Sequence, residues 1–403
     1  MLDKSLPRNA LSLLLLGGQA SATYLYVSSY SGVVTTLSLS EGSNGTSLTA
    51  IASNNQCGSS PSWLQLTDDG VLYCVDEGFA TWPDGTFSSY TTNDDGSIEL
   101  LDAQITNNGG VSTVFYGKNS KDEVWAVTDR NPSSSGGSSF ATWDTTDPAS
   151  LTLLTEEVFE LEEPGADPER QEAPHPHQAI TDPTGKFIVV PDLGADLVRV
   201  WATSESDLSV TPLEPLSIAA GSGPRHAAFA VHGDTTYFYL VTELANTLLG
   251  YTVTYGEGTI SFEQFYESGT HGKGIEVPAD AAAAEIWVSA DQKFLIVSSR
   301  NEDAFEIPNF DPTNSTAIVS DTLINFSIDG ATGDLTTLQE VPAGGRFPRQ
   351  FSVNKAGTLV AVGQQKDGRV VLIKRNPESG QLGDFVAAIP VEGEVTSVIF
   401  NEV

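Results

Sequence analysis

The sequence has few basic residues: 19 Lys and Arg stand against 53 Asp and Glu, which gives a formal net charge of -34. A chain this acidic repels nucleic acids and anionic membrane surfaces, so neither is expected as a partner. Because cations are scarce, each arginine near a candidate site is informative. A small anionic substrate could be bound only by a few arginines held in defined places.

Cysteine and histidine are also scarce, with 2 and 5 residues in a chain of 403. Cys57 and Cys74 are expected to pair as a disulfide in an oxidising compartment. Two lone thiolates make a poor zinc site, and the neighbouring pair His175 and His177 lacks further ligands at a useful spacing. No metal ion and no other cofactor is therefore predicted.

Long hydrophobic runs are absent apart from ALSLLLLGG at residues 10–18, which is too short to span a bilayer stably. This run follows Lys4 and Arg8 and precedes the small residues Ala20 to Ala22. That order is typical of a secretory signal peptide, so residues 1–22 are predicted to be removed and residues 23–403 to form one mature domain. A frayed hydrophobic N-terminus is the alternative.

The signal predicts a secreted, extracellular protein that is either free or associated with the cell wall. Three N-glycosylation sequons agree with export, and their acceptor residues are Asn44, Asn314 and Asn325. Sequons also arise by chance in a chain rich in Asn and Thr.

Four segments of the sequence repeat a common frame, in which a glycine follows a proline after nine positions. The segments begin with PSWLQLTDDG at Pro61, PHQAITDPTG at Pro176, PRHAAFAVHG at Pro224 and PRQFSVNKAG at Pro348. Each glycine is followed by a second apolar run, as in a β-hairpin. Internal repeats of this kind indicate a fold built from repeated sheets.

Two weaker copies and one split copy complete the series. The segment TYLYVSSYSGVVTTLSLS at the mature N-terminus has only a second strand, and EGEVTSVIFNEV at the C-terminus has only a first strand. Seven units give about 54 residues each, a length typical of four-stranded propeller blades. We therefore predict an all-β, seven-bladed β-propeller of four-stranded blades, closed by pairing of the N- and C-terminal strands. A β-sandwich pair explains neither the repeat nor the split copy.

The repeat frame brings two columns of residues to one mouth of the central channel, because the first two strands of a blade are antiparallel. The residues after the aligned prolines are Ser62, His177, Arg225 and Arg349. The residues at the ends of the second strands are Glu77, Asp129 or Arg130, Asp192, Glu243, Arg300 and Gln364. Charge dominates both columns, which indicates a functional mouth.

The other histidines receive different predictions. His175 precedes a proline and is read as a loop residue or as a partner of His177. His226 should alternate away from Arg225 and pack within its blade. His232 is expected in a solvated turn. The acidic segment EEVFELEEPGADPERQE is interpreted as a solvated loop.

Several segments, taken in order, resemble the seven-bladed lactonase family: HQAITDPTGKFIVVPDLGADLVRVW, GPRHAAF, VTELANTLLGY and VSSRNEDAF. That family includes fungal 3-carboxy-cis,cis-muconate cyclases and bacterial 6-phosphogluconolactonases, and the resemblance extends over residues 23 to 403. In the fungal cyclases a histidine, two arginines and a glutamate act at the channel mouth without a metal. The resemblance assigns these catalytic roles to His177, Arg225, Glu243 and Arg300.

The first functional hypothesis is a secreted enzyme that closes or opens a lactone ring on a small anionic polycarboxylate. Arg225 and Arg300 would bind substrate carboxylates, with Arg349 as a third candidate. His177 would supply the proton, and Glu243 would orient it or act as the acid itself. The alternatives are a non-catalytic wall glycoprotein that binds a cell-wall or host-surface ligand, and a 6-phosphogluconolactonase-type hydrolase.

Overall fold

The structure is a computed structural model that describes residues 23–43, 45–79, 84–117, 124–129, 138–204 and 207–402. The predicted signal peptide, residues 1–22, and the sequon residue Asn44 lie outside these ranges. All regular structure within the ranges is β-strand. No helix of the described residues has the length and apolar character needed to cross a membrane.

The chain begins and ends in the same sheet, which we number blade 7. Its strands are β1 (Thr23–Ser29), β2 (Val33–Gly42), β3 (Gly45–Asn54) and β31 (Val395–Asn401). Strands β1 and β31 pair antiparallel, so that Leu25 faces Phe400 and Val27 faces Val398. The two ends of the chain therefore close the ring, in the manner that the split repeat predicts.

The sheets between the two ends follow in chain order. Blade 1 comprises β4 (Pro61–Leu66), β5 (Val71–Asp76), β6 (Asp84–Thr92) and β7 (Ile98–Asn107). Blade 2 comprises β8 (Gly110–Tyr116), β9 (Val124–Asp129), β10 (Ser138–Asp144) and β11 (Thr152–Phe159). Blade 3 comprises β12 (Ile180–Thr181), β13 (Phe187–Asp192), β14 (Leu197–Thr203), β15 (Val210–Pro212) and β16 (Leu216–Ser217).

Three further sheets complete the ring. Blade 4 comprises β17 (Pro224–His232), β18 (Thr235–Thr242), β19 (Thr247–Gly256) and β20 (Thr259–Gly269). Blade 5 comprises β21 (Ala282–Val288), β22 (Phe294–Arg300), β25 (Thr322–Ile328) and β26 (Leu335–Pro342), with a separate ribbon of β23 (Phe305–Ile307) and β24 (Ile318–Ser320). Blade 6 comprises β27 (Pro348–Val353), β28 (Leu359–Gln364), β29 (Arg369–Arg375) and β30 (Leu382–Pro390).

The inner strands contact one another in the cyclic order β4, β8, β12, β17, β21, β27, β31 and back to β4, with β13 making the contact to β17. The fold is thus an all-β propeller. The expectation of equal four-stranded blades needs a correction, because six of the described sheets have four strands and blade 3 has five. Its outer position is divided between β15 and β16, both of which pair with β14.

The proline–glycine frame of the sequence matches the hairpins of the structure. Strands β4, β17 and β27 begin at the aligned prolines, and Pro176 forms an isolated bridge with Asp192 ahead of β12. Gly70, Gly185, Gly233 and Gly357 all have positive φ at the turns between first and second strands. Glycine adopts this backbone conformation without the steric penalty of a side chain, which explains the fixed position.

Apolar side chains fill the spaces between adjacent blades. One example joins blades 4 and 5, where Tyr239, Leu295, Val297 and Phe326 lie in a common buried cluster. The predicted disulfide is present: Cys57, in the loop after β3, is bonded to Cys74 in β5, with 5.9 Å between their Cα atoms. It links the closing blade to blade 1.

A β-bulge recurs near the start of the inner strands, and it positions the candidate site. The strand register shifts at this point in blades 1, 2, 4, 5, 6 and 7. In five of these blades the single extra residue is Ser62, Val111, Arg225, Arg349 or Thr396. Because a bulge turns an extra side chain away from regular alternation, consecutive residues can both face the channel.

Candidate active site

Glu243 lies at the centre of a buried cluster at the channel mouth. Its carboxylate accepts hydrogen bonds from Arg225 Nη1, and its Oε2 lies 2.9 Å from Arg300 Nη2. The other oxygen, Oε1, lies 2.5 Å from Arg170 Nη2. In the described part of the chain, three guanidinium groups therefore meet this one carboxylate. The cluster has an excess of positive charge within a strongly acidic protein.

Different elements bring these side chains together. Glu243 directly follows β18, Arg225 is the bulge residue of β17 and Arg300 is the last residue of β22. The Arg300 guanidinium donates to the backbone oxygens of Ala282 and Ala283 and stacks 4.8 Å from the Phe347 ring. These contacts fix its orientation, so the cluster is preorganised.

His177 is buried beside the arginines, ahead of β12. Its backbone N–H donates to Pro191 O, and its Nε2 lies 2.7 Å from Arg225 Nη1. Its Nδ1 lies 3.2 Å from His226 Nε2. A guanidinium only donates hydrogen bonds, so Nε2 is the acceptor and Nδ1 carries the proton.

Burial and charge set the protonation states at this site. Burial, together with the neighbouring Arg225 and His226, lowers the pKa of His177 well below its usual range. Burial alone would raise the pKa of Glu243, but Arg300, Arg225 and Arg170 outweigh it and hold that pKa well below its usual range. His177 is thus neutral and Glu243 ionised at neutral pH.

Arg225 and Arg300 both have lowered pKa values. Burial lowers the pKa of Arg225, and the charge of Arg300 adds to the effect. Burial also lowers the pKa of Arg300, although Glu243 opposes the change. A second negative charge in the cluster would relieve this repulsion, because oppositely charged neighbours favour the charged form of each group.

Arg349 belongs to a second cluster across the channel. Its guanidinium donates to the Tyr30 hydroxyl and, over 3.0 Å, to Glu77 Oε1. The Tyr30 hydroxyl also donates to Glu77. Burial would lower the pKa of Arg349, but Tyr30 and Glu77 outweigh it and raise that pKa. This guanidinium is already paired by one carboxylate.

The four residues that the family resemblance assigned lie together: His177, Arg225, Glu243 and Arg300. Arg349 faces the same central cavity as His177 and Arg225 but is bonded within its own cluster. Glu243 was expected to orient His177 directly. Its carboxylate instead bonds to the arginines, and His177 is bonded to Arg225 and His226.

Other charged or polar residues of the two columns have structural partners. Asp192 accepts hydrogen bonds from His175 N, Ala195 N and Arg199 Nε. Gln364 donates to Ala343 O, and Ser62 donates to Gly110 O. These residues fasten loops around the mouth, so position in a column alone did not identify a functional side chain.

Sequence reasoning missed two members of the site. Arg170 lies in the acidic segment that was interpreted as a solvated loop, and its side chain reaches Glu243. Arg170 is the only arginine in this acidic segment, and that contrast could have marked it as a candidate site residue. His226 was predicted to face away from Arg225, but the bulge at Arg225 breaks the alternation and brings His226 to His177.

The remaining histidine and glycan predictions have mixed outcomes. His175 is buried, with its Nε2 3.0 Å from Glu172 Oε1. Asn314 is exposed. Asn325 is a correction: its side chain is fully buried in β25, and its amide donates to Gly380 O over 2.7 Å, so a glycan cannot be accommodated in the folded protein. Among the described residues, no group of three or more His, Cys, Asp or Glu side chains could hold a metal ion.

Fold and site together define a β-propeller with an arginine-rich mouth around one carboxylate and one imidazole. The model of the family described as "Lactonase, 7-bladed beta-propeller" matches residues 24–400. The chain belongs to this lactonase family.

Individual proteins resemble the chain over most of its length. A protein of Arthroderma benhamiae named "Probable 6-phosphogluconolactonase" is 28% identical over 92% of this chain and 86% of its own length. The 6-phosphogluconolactonase of Bacillus subtilis is 28% identical over 62% of this chain and 64% of its own. The periplasmic gluconolactonase PpgL of Pseudomonas aeruginosa has a similar fold, with a TM-score of 0.74, 23% identity and coverage of 94% and 99%.

Proposed function

We propose that this protein is a lactone hydrolase that opens the ring of a small anionic lactone at the channel mouth. The observation that carries the proposal is the cluster of Arg170, Arg225 and Arg300 around Glu243, beside a neutral His177. Guanidinium groups bind carboxylates and phosphates through paired hydrogen bonds. In a chain of net charge -34, such a cluster is a local site for an anion.

The residues offer the parts that ring opening requires. Water adds to the lactone carbonyl carbon, the ring C–O bond breaks, and the ring oxygen takes a proton to give a hydroxy acid. With substrate bound, a water molecule takes the place of Arg225 at His177 Nε2 and loses its proton to that nitrogen. His177 then gives this proton to the leaving ring oxygen and is neutral again. Arg225 stabilises the charge that develops on the carbonyl oxygen, Arg300 binds the fixed negative group of the substrate, and Glu243 holds both guanidinium groups in place.

This assignment changes the proton chemistry expected from the sequence. His177 was expected to act as a proton donor that titrates near working pH. Its lowered pKa favours a proton acceptor instead. Glu243 was considered as an acid with a raised pKa, whereas its pKa is lowered by the arginines. An ionised Glu243 fits the role of holding the arginines.

The names of the relatives support hydrolysis, since those from Arthroderma benhamiae and Bacillus subtilis are both called 6-phosphogluconolactonases. The cyclase resemblance suggests the opposite direction, in which a substrate carboxylate adds to a double bond to form the lactone. The three arginines suit this second candidate, because a polycarboxylate uses more than one cation.

We also propose that the protein acts outside the cell. The N-terminal sequence has the order of a signal peptide, with small residues from Ala20 to Ala22 at the expected cleavage position. The disulfide suits an oxidising compartment. Expression of the full chain in a eukaryotic host, followed by mass spectrometry of the N-terminus, tests this. A mature chain that begins at Thr23 in the medium is expected, and an uncleaved chain inside the cells would contradict it.

The test of the activity is a comparison of lactones with the purified protein. 6-Phosphogluconolactone, a carboxylated muconolactone and neutral glucono-δ-lactone are followed by proton release above the spontaneous rate, and 3-carboxymuconate is offered for the cyclase direction. We expect hydrolysis of at least one anionic lactone by the wild type and none above background by a His177→Ala, Arg225→Ala double variant.

A His232→Gln variant serves as the control, since His232 ends β17 away from the mouth cluster and should retain full activity. Turnover of 3-carboxymuconate alone would favour the cyclase. Equal background rates from wild type and double variant with every compound would favour a non-catalytic binding protein, the wall-glycoprotein alternative.

A further inference from the structure

Three buried side chains form a hydrogen-bonded chain that runs from the mouth into the channel. His177 Nδ1 lies 3.2 Å from His226 Nε2, and His226 Nδ1 lies 2.9 Å from Glu285 Oε1. Each residue comes from a different blade: 3, 4 and 5. His226 and Glu285 are 2% and 4% exposed, so solvent does not interrupt the chain.

The direction of every hydrogen bond in the chain follows from its outer end. Arg225 can only donate, so His177 Nε2 accepts and its Nδ1 carries the proton. His177 Nδ1 then donates to His226 Nε2, which leaves the proton of His226 on Nδ1. That proton is donated to the Glu285 carboxylate. Protonation of His226 at Nε2 would place two donors face to face.

Two β-bulges build this arrangement. The bulge at Arg225 in β17 allows Arg225 and the next residue, His226, both to face the channel. The register also shifts between Ala283 and Ile286 in β21, so Glu285 lies outside the regular pairing of β21 with β22. The positions of His226 and Glu285 therefore depend on irregularities in two inner strands.

Local contacts hold the lower part of the chain. Glu285 Oε1 also accepts from Ile286 N over 3.0 Å, and Glu285 N donates to Ser298 Oγ over 3.0 Å. The Trp63 ring lies edge-on to the His226 ring, with 5.9 Å between centroids. These contacts hold the His226 ring and the Glu285 carboxylate in place.

A few charged and titratable groups surround the two imidazoles, and they change the imidazole pKa values in opposite directions. Arg225, His226, Glu243 and Arg349 act on His177. Glu285, Arg225 and Arg349 act on His226. Arginine charges oppose a cationic imidazole, and Glu285 is the nearby carboxylate on the inner side that favours one.

We propose that His226 and Glu285 are positioning residues for His177, an inference that rests on the proposed lactone hydrolysis. They hold the imidazole in the tautomer with the proton on Nδ1, so that Nε2 is the proton acceptor at the mouth. When Nε2 takes the proton of the attacking water, the Glu285 carboxylate stabilises the resulting cation through His226. The carboxylate thus compensates for the repulsion by the arginines.

Two variants at one position separate positioning from packing. A glutamine at position 226 can accept from His177 Nδ1 and donate to Glu285, whereas a leucine of similar size can do neither. We expect His226→Leu to lower kcat on the order of 10²-fold and His226→Gln to stay within about 10-fold of wild type, with KM little changed in both. Equal activities of these two variants would overturn the proposal, and His232→Gln is the control.

Glu285→Gln removes the charge but retains a hydrogen-bond acceptor. Because a nearby negative charge favours the cationic imidazole, its loss should shift the acidic limb of kcat/KM to lower pH and reduce the maximum. An acidic limb at the wild-type position would contradict the role assigned to Glu285.

A measurement without substrate keeps this inference separate from the lactonase activity. The protein labelled with ¹⁵N-histidine has only five imidazoles, which single-histidine variants assign. We expect both His177 and His226 to carry the proton on Nδ1, and the Nδ1 proton of His226 to move upfield in Glu285→Gln. Nε2-protonated His177 or His226 would overturn the inference, even if hydrolysis is observed; Nδ1 tautomers would support the arrangement even if no tested lactone is hydrolysed.

Discussion

The two clusters on either side of the channel mouth are built from the same kinds of side chain but differ in charge balance. Around Glu243, three arginines surround one carboxylate. Around Glu77, Arg349 and the Tyr30 hydroxyl share one carboxylate. In the first cluster burial lowers the pKa of Arg225 and Arg300, while Glu243 outweighs burial at the more exposed Arg170 and raises its pKa. In the second cluster Tyr30 and Glu77 outweigh burial and raise the pKa of Arg349.

The difference indicates which side binds substrate. A balanced pair gains nothing from an added anion and serves to connect blades 6, 7 and 1. An unbalanced cluster is stabilised when an anion arrives, because the new charge removes repulsion between guanidinium groups. An excess of cations over carboxylates is therefore the evidence for function. The presence of an arginine alone is not sufficient.

The largest expected effect is the loss of activity in Arg225→Ala. Arg225 contacts both His177 and Glu243, so its removal takes away a donor at the developing oxyanion. We expect kcat/KM to fall on the order of 10²- to 10³-fold. Arg349→Ala is the matched variant from the opposite cluster, and it should cost less than about 10-fold. Similar losses in both variants would show that the clusters share the chemistry.

Glu243→Gln should make the charge imbalance visible as lost stability. It leaves three arginines without their buried carboxylate, which we expect to lower the free energy of unfolding by about 3 kcal/mol. Inorganic phosphate should restore part of this loss by replacing the missing charge. Denaturant unfolding with and without phosphate measures both effects.

Glu77→Gln is the comparison for this experiment, because it leaves a single arginine that remains bonded to Tyr30. Phosphate should stabilise this variant no more than it stabilises the wild type, because the cluster around Glu243 is unchanged. Equal stabilisation of Glu243→Gln and Glu77→Gln by phosphate would contradict an anion site located at the Glu243 cluster.

The disulfide between Cys57 and Cys74 should affect stability and not catalysis. It closes a loop with a sequence separation of 17, for which about 3 kcal/mol is expected. The double Cys57→Ser, Cys74→Ser variant should therefore melt at a lower temperature and retain wild-type kcat/KM at 25 °C. Unchanged melting, or a selective loss of kcat, would contradict the purely structural role.

The smallest expected effect is on the acidic side of the pH profile. His177 has a pKa lowered by burial and by Arg225, so it remains an unprotonated acceptor as the pH falls through 6.5. We expect kcat/KM to stay level there and to decline only at lower pH.

The same lowered pKa of His177 links pH to stability. A group with a depressed folded-state pKa contributes stability above its unfolded-state pKa, and this contribution is lost as the pH falls.

His177→Gln provides the control for the stability part of that prediction. Wild type should lose more stability than this variant between pH 7 and pH 5, measured by denaturant unfolding. A decline in kcat/KM centred near pH 6.5 would instead indicate a solvated, ordinary imidazole.

Much of the fold could be predicted because its signals are local. The spacing from Pro224 to Gly233 encodes a strand and a turn, and the half-copies at the two ends encode closure of the ring. The division of the outer strand of blade 3 was not predicted. Pro212 and Pro215 lie between Val210 and Leu216, and prolines interrupt strand pairing, so the sequence held a signal that the repeat frame did not use.

The site was predicted less completely, because side-chain direction depends on strand irregularities. Strict alternation placed His226 away from Arg225, and the bulge reversed that result. Arg170 reaches the site from a long connection whose path no periodicity describes. The sequon at Asn325 was misleading because a three-residue pattern contains no information about burial.

The most direct test of an anion-binding mouth is the ratio of kcat/KM for 6-phosphogluconolactone to that for neutral glucono-δ-lactone. Charge-assisted hydrogen bonds contribute roughly 1.5–3 kcal/mol each, so a single such bond predicts a preference on the order of 10- to 100-fold for the anionic lactone. That preference should nearly vanish in Arg300→Met. Equal hydrolysis of both lactones by the wild type, or an undiminished preference in Arg300→Met, would contradict the assignment of the arginine cluster.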